Sequence, residues 1–386
     1  MDLDEDPAVT NSPNPFEEFS LEQLQQRTSM KWRRYPAEVL PVWVAEMDCG
    51  VAPAVREAVD AALALGDTGY SEGKRYAEAL ARYAARHWPE WQIDPELTCQ
   101  VSDVMTGVRT AITMATSPGA PIVVTPPVYG PFLRDVSGMK RELVFAPLTT
   151  GGRLDPETLE QAFAQVAGKG SAVLISNPHN PTGAAHTREE LETLVALANK
   201  HGVRVIADEI HAPLQLAGAR FVPILTVAGA DSAMSVFSAS KAYNLAGIKA
   251  GLVIGGEATR AEMRTMTGEA SHLGVISHVA ALDHGDAWLE EVLVALSTNR
   301  DALAPLVSEY LPGASIIVPE ATYLAWIDVQ NLGWGDDPDQ LLAEKAKVGF
   351  SGGRFFGPGG LGHIRVNFAT SPAILREAFV RASTAL

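Results

Sequence analysis

Between residues 120 and 255 the chain alternates short apolar runs with helix-like stretches, and each run stops abruptly at a polar or proline-rich cluster. Residues 120–125 (APIVVT) end at Pro126 and Pro127, residues 171–176 (SAVLIS) at NPHNPTG, residues 203–207 (VRVIA) at Asp208, and residues 232–237 (SAMSVF) at SASKAYN; residues 250–254 (AGLVI) form one more run. Short, almost wholly apolar strands that alternate with helices predict a mostly parallel sheet covered on both faces. One intervening helix has readable ends. Thr187 and Glu190 fit a capping box, Leu191, Leu194, Val195 and Ala198 recur at helical spacing, and Gly202 sits where the helix should stop.

Past residue 285 the pattern changes. A long helical stretch from 286 to about 310 leads to strand-like residues 315–318 and 323–327, another helix, the strand 363–368 and a terminal helix. The expected class is therefore α/β: a large domain over 46–285 and a smaller α+β domain over 286–386, with 16–45 packing against the latter and 1–15 a disordered acidic, proline-containing tail. A length of 386 residues suits two or three domains. The net charge of −16 opposes binding to nucleic acid or anionic lipid, and no apolar run approaches the length of a membrane span. Two cysteines without a CxxC pair, and an N-terminus with no apolar h-region, predict a cytoplasmic protein without disulfides. The nine histidines show no metal-ligand spacing, so no metal is expected.

Three of the strand-ending clusters carry chemistry: 177–183 (NPHNPTG), 208–211 (DEIH) and 238–244 (SASKAYN). Ligands of open α/β sheets bind outside the carboxyl ends of the strands, so the three converge on one crevice. Read alone, Lys241 is an ordinary surface lysine; at a strand end in this company it can form an imine with an aldehyde. Pyridoxal 5′-phosphate offers that aldehyde together with a phosphate and a pyridine nitrogen. Asp208 suits the protonated pyridine, Asn180 the phenolic oxygen, Ser238 or Ser240 the phosphate (Ser238 preferred), and Lys249 the phosphate charge. His211 either faces the pocket or braces Asp208. Gly107 in MTGVRT precedes an apolar helical run whose N-terminus suits phosphate, Tyr129 is placed to stack on the ring, and Arg365 in HIRVNF is the candidate carboxylate clamp.

Over nearly its whole length the chain resembles the fold-type I, pyridoxal phosphate-dependent enzymes of the aminotransferase class I/II superfamily. Within them it resembles the cystathionine β-lyase (cysteine C–S lyase) branch. The resemblance rests on SMKWRRYP (29–36), VWVAEMD (42–48), GYSEG (69–73), NPHNPTG, DEIHAPL, SASKAYNLAGIKAG and HIRVNFA. It implies a seven-stranded sheet in the large domain, with Lys241 as the Schiff-base lysine and Asp208 and Tyr129 beside it as catalytic residues. It implies cofactor contacts from Gly107, Val108, Arg109, Asn180, His211, Ser238, Ser240 and Lys249, and substrate contacts from Arg365, Asn180 and Ala45. It further implies a homodimer in which Tyr70 reaches the neighbouring subunit's phosphate. The chain departs from the branch at Glu46, where aspartate is usual, and at Arg109, which replaces a small or apolar residue and either alters phosphate affinity or points to solvent.

The implied reaction is β-elimination of L-cystathionine and related cysteine S-conjugates to a thiol, pyruvate and ammonia, with a role in methionine biosynthesis. Two alternatives stand beside it. An aminotransferase shares every step up to the carbanion, and a non-enzymatic regulator retaining the fold would be marked by loss of Lys241 or Asp208. Gly357, Gly359 and Gly362 spell a literal GxGxxG, but a strand-like segment rather than a helix follows, so a glycine loop leading to Arg365 is expected there and not a nucleotide site.

Overall fold

The computed structural model describes residues 14–386. Seven strands form the central sheet: β1 (Thr98–Val101), β2 (Ile122–Val124), β3 (Leu143–Phe145), β4 (Ala172–Ser176), β5 (Arg204–Asp208), β6 (Met234–Phe237) and β7 (Gly251–Gly255). Their spatial order is β1-β7-β6-β5-β4-β2-β3. Only β7 runs against its neighbours, pairing antiparallel with both β6 and β1. The mostly parallel sheet expected of the large domain is thus present with seven strands.

Alternation along each strand explains the buried runs. Val123, Val173, Ile175, Val205 and Ala207 pack on one face against α-helical residues such as Leu159, Phe163, Leu191 and Leu194. Ile122, Val124, Leu174, Ile206 and Val236 pack on the other against Val108, Ala111 and Ile112. Because both faces are covered, both phases of the two-residue period must be apolar. The helix Arg188–His201 has the expected capping box between Thr187 and Glu190 and ends at Gly202, whose φ of 65° is the left-handed conformation favoured for glycine at a helix C-terminus.

In the C-terminal part, the helix Asp286–Tyr310 leads into a second sheet of β8 (Ser315–Ile317), β9 (Leu324–Asp328), β10 (Ser351–Gly352) and β11 (His363–Asn367), ordered β10-β11-β9-β8 and antiparallel throughout. The helix Pro372–Ser383 closes the chain. Residues Leu40–Pro41 pair in parallel with Val348–Gly349, and Phe16, Leu24 and Trp32 join the same apolar cluster as Leu303, Leu324 and Phe379. The N-terminal segment is therefore laid against the small sheet.

The tail predicted over 1–15 falls outside the described residues up to position 13. At its end the structure corrects the boundary: the Asn14 side chain accepts from the Phe16 N–H and caps the 3-10 turn Pro15–Glu17. The GPGGLG segment runs through positive φ at Gly357, Gly359 and Gly362 and enters β11. It offers no helix N-terminus for a pyrophosphate.

Candidate active site

The polar clusters at the ends of β4, β5 and β6 open into one cleft of about 1200 Å³. Asp208 is the last residue of β5 and is buried; its Oδ1 accepts from the Ile210 N–H at 3.1 Å. Burial pushes its carboxyl up to about 7, against the pull of that N–H and of Lys241. Lys241 follows β6, and its Nζ donates to the Ala45 carbonyl at 2.8 Å. Burial, aided by the Arg365 guanidinium, lowers its amine to about 8, while Glu46 and Asp208 pull the other way. A lysine with this environment supplies the neutral, nucleophilic amine near physiological pH.

Arg365 in β11 is buried and already oriented. Nη1 donates to Asn180 Oδ1 at 2.9 Å, and Nη2 donates to the Trp43 carbonyl at 2.9 Å and to Ser351 Oγ at 3.3 Å. Its guanidinium carbon lies 4.9 Å from the Phe356 ring centroid. Nε has no partner among the described residues, which leaves a donor for an incoming carboxylate. Ser351 in turn donates to the Trp43 carbonyl.

Tyr129, the residue ahead of the helix Gly130–Gly138, lines the cleft with its ring edge-on to Phe132. Burial raises its phenol. His211 is buried, makes an edge contact with Tyr323 and has an unpartnered Nδ1. Burial, then Lys241 and Arg365, holds it well below the ordinary histidine range, so it is neutral. Of the open alternatives for His211, facing the pocket matches its place in the cleft wall.

At the phosphate end the geometry differs in part from the sequence expectation. The helix Val104–Ala115 begins one turn ahead of Gly107, and the Gly107 N–H is used by the Asp103 carbonyl. Gly107 and Val108 are buried against the sheet, and it is Asp103, Val104, Met105 and Arg109 that line the cleft. A Cβ on Gly107 would sit 2.6 Å from Val236 Cγ1, so packing against β6 demands the glycine. Ser238 donates to the Ala250 carbonyl at 2.7 Å, which engages its hydroxyl proton; Ser240 lies beside it, nearer solvent. Lys249 pairs with Asp103 at 2.9 Å, and Arg109 with Asp135 at 2.5 Å and Thr106 Oγ1 at 2.9 Å. Tyr70 is 95% exposed and does not line its own chain's cleft.

Tyr323 escaped sequence reasoning; its hydroxyl donates at 3.0 Å to the Ala45 carbonyl, the oxygen that also accepts from Lys241. At Trp43, and at Ala45, expected as a substrate contact, what escaped is the use of the main-chain carbonyls as acceptors for Arg365 and Lys241. Backbone acceptors leave no residue-type signal, and a tyrosine before an apolar strand reads as core.

The donor set fits pyridoxal 5′-phosphate: a buried amine, lowered to about 8, for its aldehyde, a buried carboxylate with one N–H partner for its pyridine nitrogen, and a helix N-terminus with Ser240 and Lys249 for its phosphate. The model of the family described as aminotransferase class I and II matches residues 44–381. A Mycobacterium tuberculosis protein named "Putative cystathionine beta-lyase" is 46% identical, over 97% of this chain and 98% of its own. The Corynebacterium glutamicum "Cystathionine beta-lyase" is 32% identical over 95% and 99%. The structure of the PLP-bound C-S lyase from Staphylococcus hominis superposes with a TM-score of 0.85 at 26% identity, over 93% of this chain and 95% of that one. By fold, by cleft and by these matches, the chain belongs to the aminotransferase class I and II family of fold-type I, pyridoxal phosphate-dependent enzymes.

Proposed function

We propose that the protein is a carbon–sulfur lyase that eliminates the thiol from L-cystathionine and related cysteine S-conjugates, giving homocysteine (from cystathionine), pyruvate and ammonia. The observation that carries this reading is the placement of Lys241, depressed to about 8, in one cleft with the Arg365–Asn180 clamp and the buried Asp208. The length-wide similarity to proteins named as cystathionine β-lyases supports elimination over amino transfer.

In this mechanism Arg365 binds the substrate α-carboxylate and fixes the Cα–H bond toward Lys241. Bound pyridoxal phosphate supplies an electron sink for the carbanion at Cα. Asp208 would hold the cofactor's pyridine nitrogen and, once ionised, would favour its protonated form. Lys241 Nζ takes the Cα proton. The Cβ–S bond then breaks with its electron pair leaving on sulfur, and Lys241 returns the proton to the thiolate. The three-carbon enamine is released and hydrolyses to pyruvate and ammonia. Asn180, held by Arg365, would hold the cofactor's phenolic oxygen, and Tyr129 would pack against its ring.

The same proposal makes the active unit a cytoplasmic homodimer acting in methionine biosynthesis, with Tyr70 reaching the neighbour's phosphate; its 95% exposure leaves the side chain free for that contact. The test is incubation of the purified holoenzyme with L-cystathionine in the absence of any keto acid. Equal amounts of free thiol and pyruvate are expected. Amino transfer to an added keto acid with no thiol released would make it an aminotransferase, and a colourless protein that pyridoxal phosphate cannot reconstitute would remove the enzyme reading altogether.

A further inference from the structure

The antiparallel ladder between β6 and β7 reaches Phe237 opposite Leu252, and the loop 238–250 that joins the two strands bears Lys241. Side chains extend this ladder past the sheet by two rungs. In the first, Ser238 Oγ donates to the Ala250 carbonyl at 2.7 Å. The second rung is wider and has two side chains inserted in it. The Ala239 N–H donates to the Tyr76 hydroxyl at 3.1 Å, that hydroxyl meets His278 Nδ1 at 2.9 Å, and His278 Nε2 meets the Ile248 carbonyl at 2.9 Å.

Burial lowers the His278 imidazole to about 4, opposed by the Ile248 carbonyl, so the ring is neutral. The partners then fix each proton. A carbonyl only accepts, so Nε2 bears the ring hydrogen, Nδ1 accepts, and the Tyr76 hydroxyl donates to it. Tyr76 lies on the helix Arg75–His87 and His278 on the helix His272–His284; both are fully buried and neither lines the cleft. The second helix also meets the loop at Gly274, where a Cβ would sit 2.3 Å from the Lys249 carbonyl oxygen. Apolar side chains would fill the same space; these two instead bond both limbs of the loop. Their outer contacts fall on Ala239 and Ile248, the residues directly ahead of Ser240 and Lys249.

We infer that Tyr76 and His278 are positioning residues that set the opening between Ser240 and Lys249, and with it the grip on the cofactor's phosphate. The inference rests on the reading of Ser240 and Lys249 as phosphate partners, and extends it to two side chains that touch neither cofactor nor substrate. A dianion held from two limbs of a loop needs their separation set before it arrives, which is what a buried bridge between the limbs supplies. The same ring system without a phosphate does not use that opening, so its binding should be indifferent to the bridge.

The experiment uses the full chain stripped of cofactor, in wild type, Tyr76→Phe, His278→Gln and the double variant. Kd values for pyridoxal 5′-phosphate and for pyridoxal, which lacks the phosphate, are read from the visible band that each forms with the protein. The preference for the phosphorylated compound should fall about tenfold in Tyr76→Phe, since the Ala239 N–H and His278 Nδ1 lose a buried partner. Either substitution breaks the same bridge, so the double variant should lose no more than the worse single one. An unchanged preference, equal weakening of both compounds, or losses that add in the double variant would each point to plain core packing and overturn the inference. Should His278→Gln fail to fold, the preference of Tyr76→Phe, which keeps the buried ring, decides alone. Ser240→Ala and Lys249→Met are the controls. If they lower the preference and Tyr76→Phe does not, only the bridge is refuted; if they leave it unchanged, the phosphate reading fails and the bridge inference falls with it.

Discussion

Asp208→Asn should stabilise the protein without cofactor and weaken it with cofactor. Burial raises the folded-state pKa of Asp208 from the ordinary 3.8 to about 7. A group raised in this way contributes most favourably below its unfolded pKa, and that contribution is lost as pH climbs through the folded one. At about 1.4 kcal/mol per tenfold change in proton affinity, the ionised side chain costs the cofactor-free fold roughly 4 kcal/mol at pH 8, and about 1.5 kcal/mol at pH 5. Asparagine has the same shape, keeps an acceptor for the Ile210 N–H and carries no charge. With roughly 2 °C per kcal/mol for a large chain, the cofactor-free variant should melt about 8 °C above wild type at pH 8 and about 3 °C above it at pH 5. Adding pyridoxal phosphate should reverse the order. Wild type gains a charge-assisted hydrogen bond worth roughly 1.5–3 kcal/mol that the amide cannot match, so the variant should bind cofactor about ten- to a hundredfold more weakly. The assay is differential scanning fluorimetry with and without cofactor at both pH values, with affinity from absorbance titration. A gain of equal size at pH 5 and pH 8, or a cofactor-free variant less stable than wild type at pH 8, would refute the argument that buried charge on Asp208 is held in reserve for a cation.

The other predictions concern separate parts of the molecule. The Lys31–Asp48 ion pair is fully buried at 2.7 Å, with the Trp32 indole also donating to Asp48; Lys31→Met should cost about 3–5 kcal/mol in urea unfolding, and Lys31→Met with Asp48→Leu should recover part of it. Gly107→Ala drives a Cβ to 2.6 Å from Val236 Cγ1 and should cost about 1–3 kcal/mol without changing the cofactor spectrum; an unchanged melting temperature would contradict the packing. Arg365→Lys loses the fork that spans Asn180, Trp43 and Ser351, so substrate KM should rise at least about tenfold while cofactor affinity holds. In cofactor-free protein, reductive methylation of Lys241 by formaldehyde, followed by mass spectrometry, should be half-maximal near pH 8, the amine being lowered to about 8 from 10.5; a midpoint near 10 would mean that the amine is not desolvated.

Buried strands could be read because both their faces are apolar. The two strands of the central sheet that escaped, β1 and β3, lie at its edges, where Thr98 and Gln100 are half-buried and Phe145 is exposed. Such alternation over three or four residues does not stand out from a loop. The direction of β7 escaped too. Its run AGLVI resembles its parallel neighbours, since direction is set by the path of the connection and not by the residues that pair. In the site, Asp208, Lys241, Asn180 and Arg365 could be named because each carries side-chain chemistry at a strand end or in a strand. The end expected to take the phosphate could be named only to within a turn, since what the cleft offers there is the main chain at a helix start, and the glycine that drew attention serves packing.

What sequence reading could least foresee is the acceptor line formed by residues 43–49. This segment lies outside both large sheets, so its carbonyls need donors from elsewhere. They receive them from both domains: Lys241 and Tyr323 at Ala45, Arg365 and Ser351 at Trp43, Asn367 at Val44 and Glu46, and Asn244 at Met47 and Cys49. Asn244 meets the segment from both sides, its Oδ1 accepting from the Met47 N–H, and holds a left-handed φ of 56° to do so. The Lys31–Asp48 pair and the Lys31 bond to the Glu46 carbonyl then fix the line to the N-terminal segment. The Lys241 amine and the Arg365 guanidinium therefore share one backbone ruler, their acceptors two residues apart. A displacement of this segment moves the acceptors of Lys241 and Arg365 together, so substitutions at Lys31 or Asn244, neither of which lines the cleft, should alter the proposed proton transfer and carboxylate binding in concert.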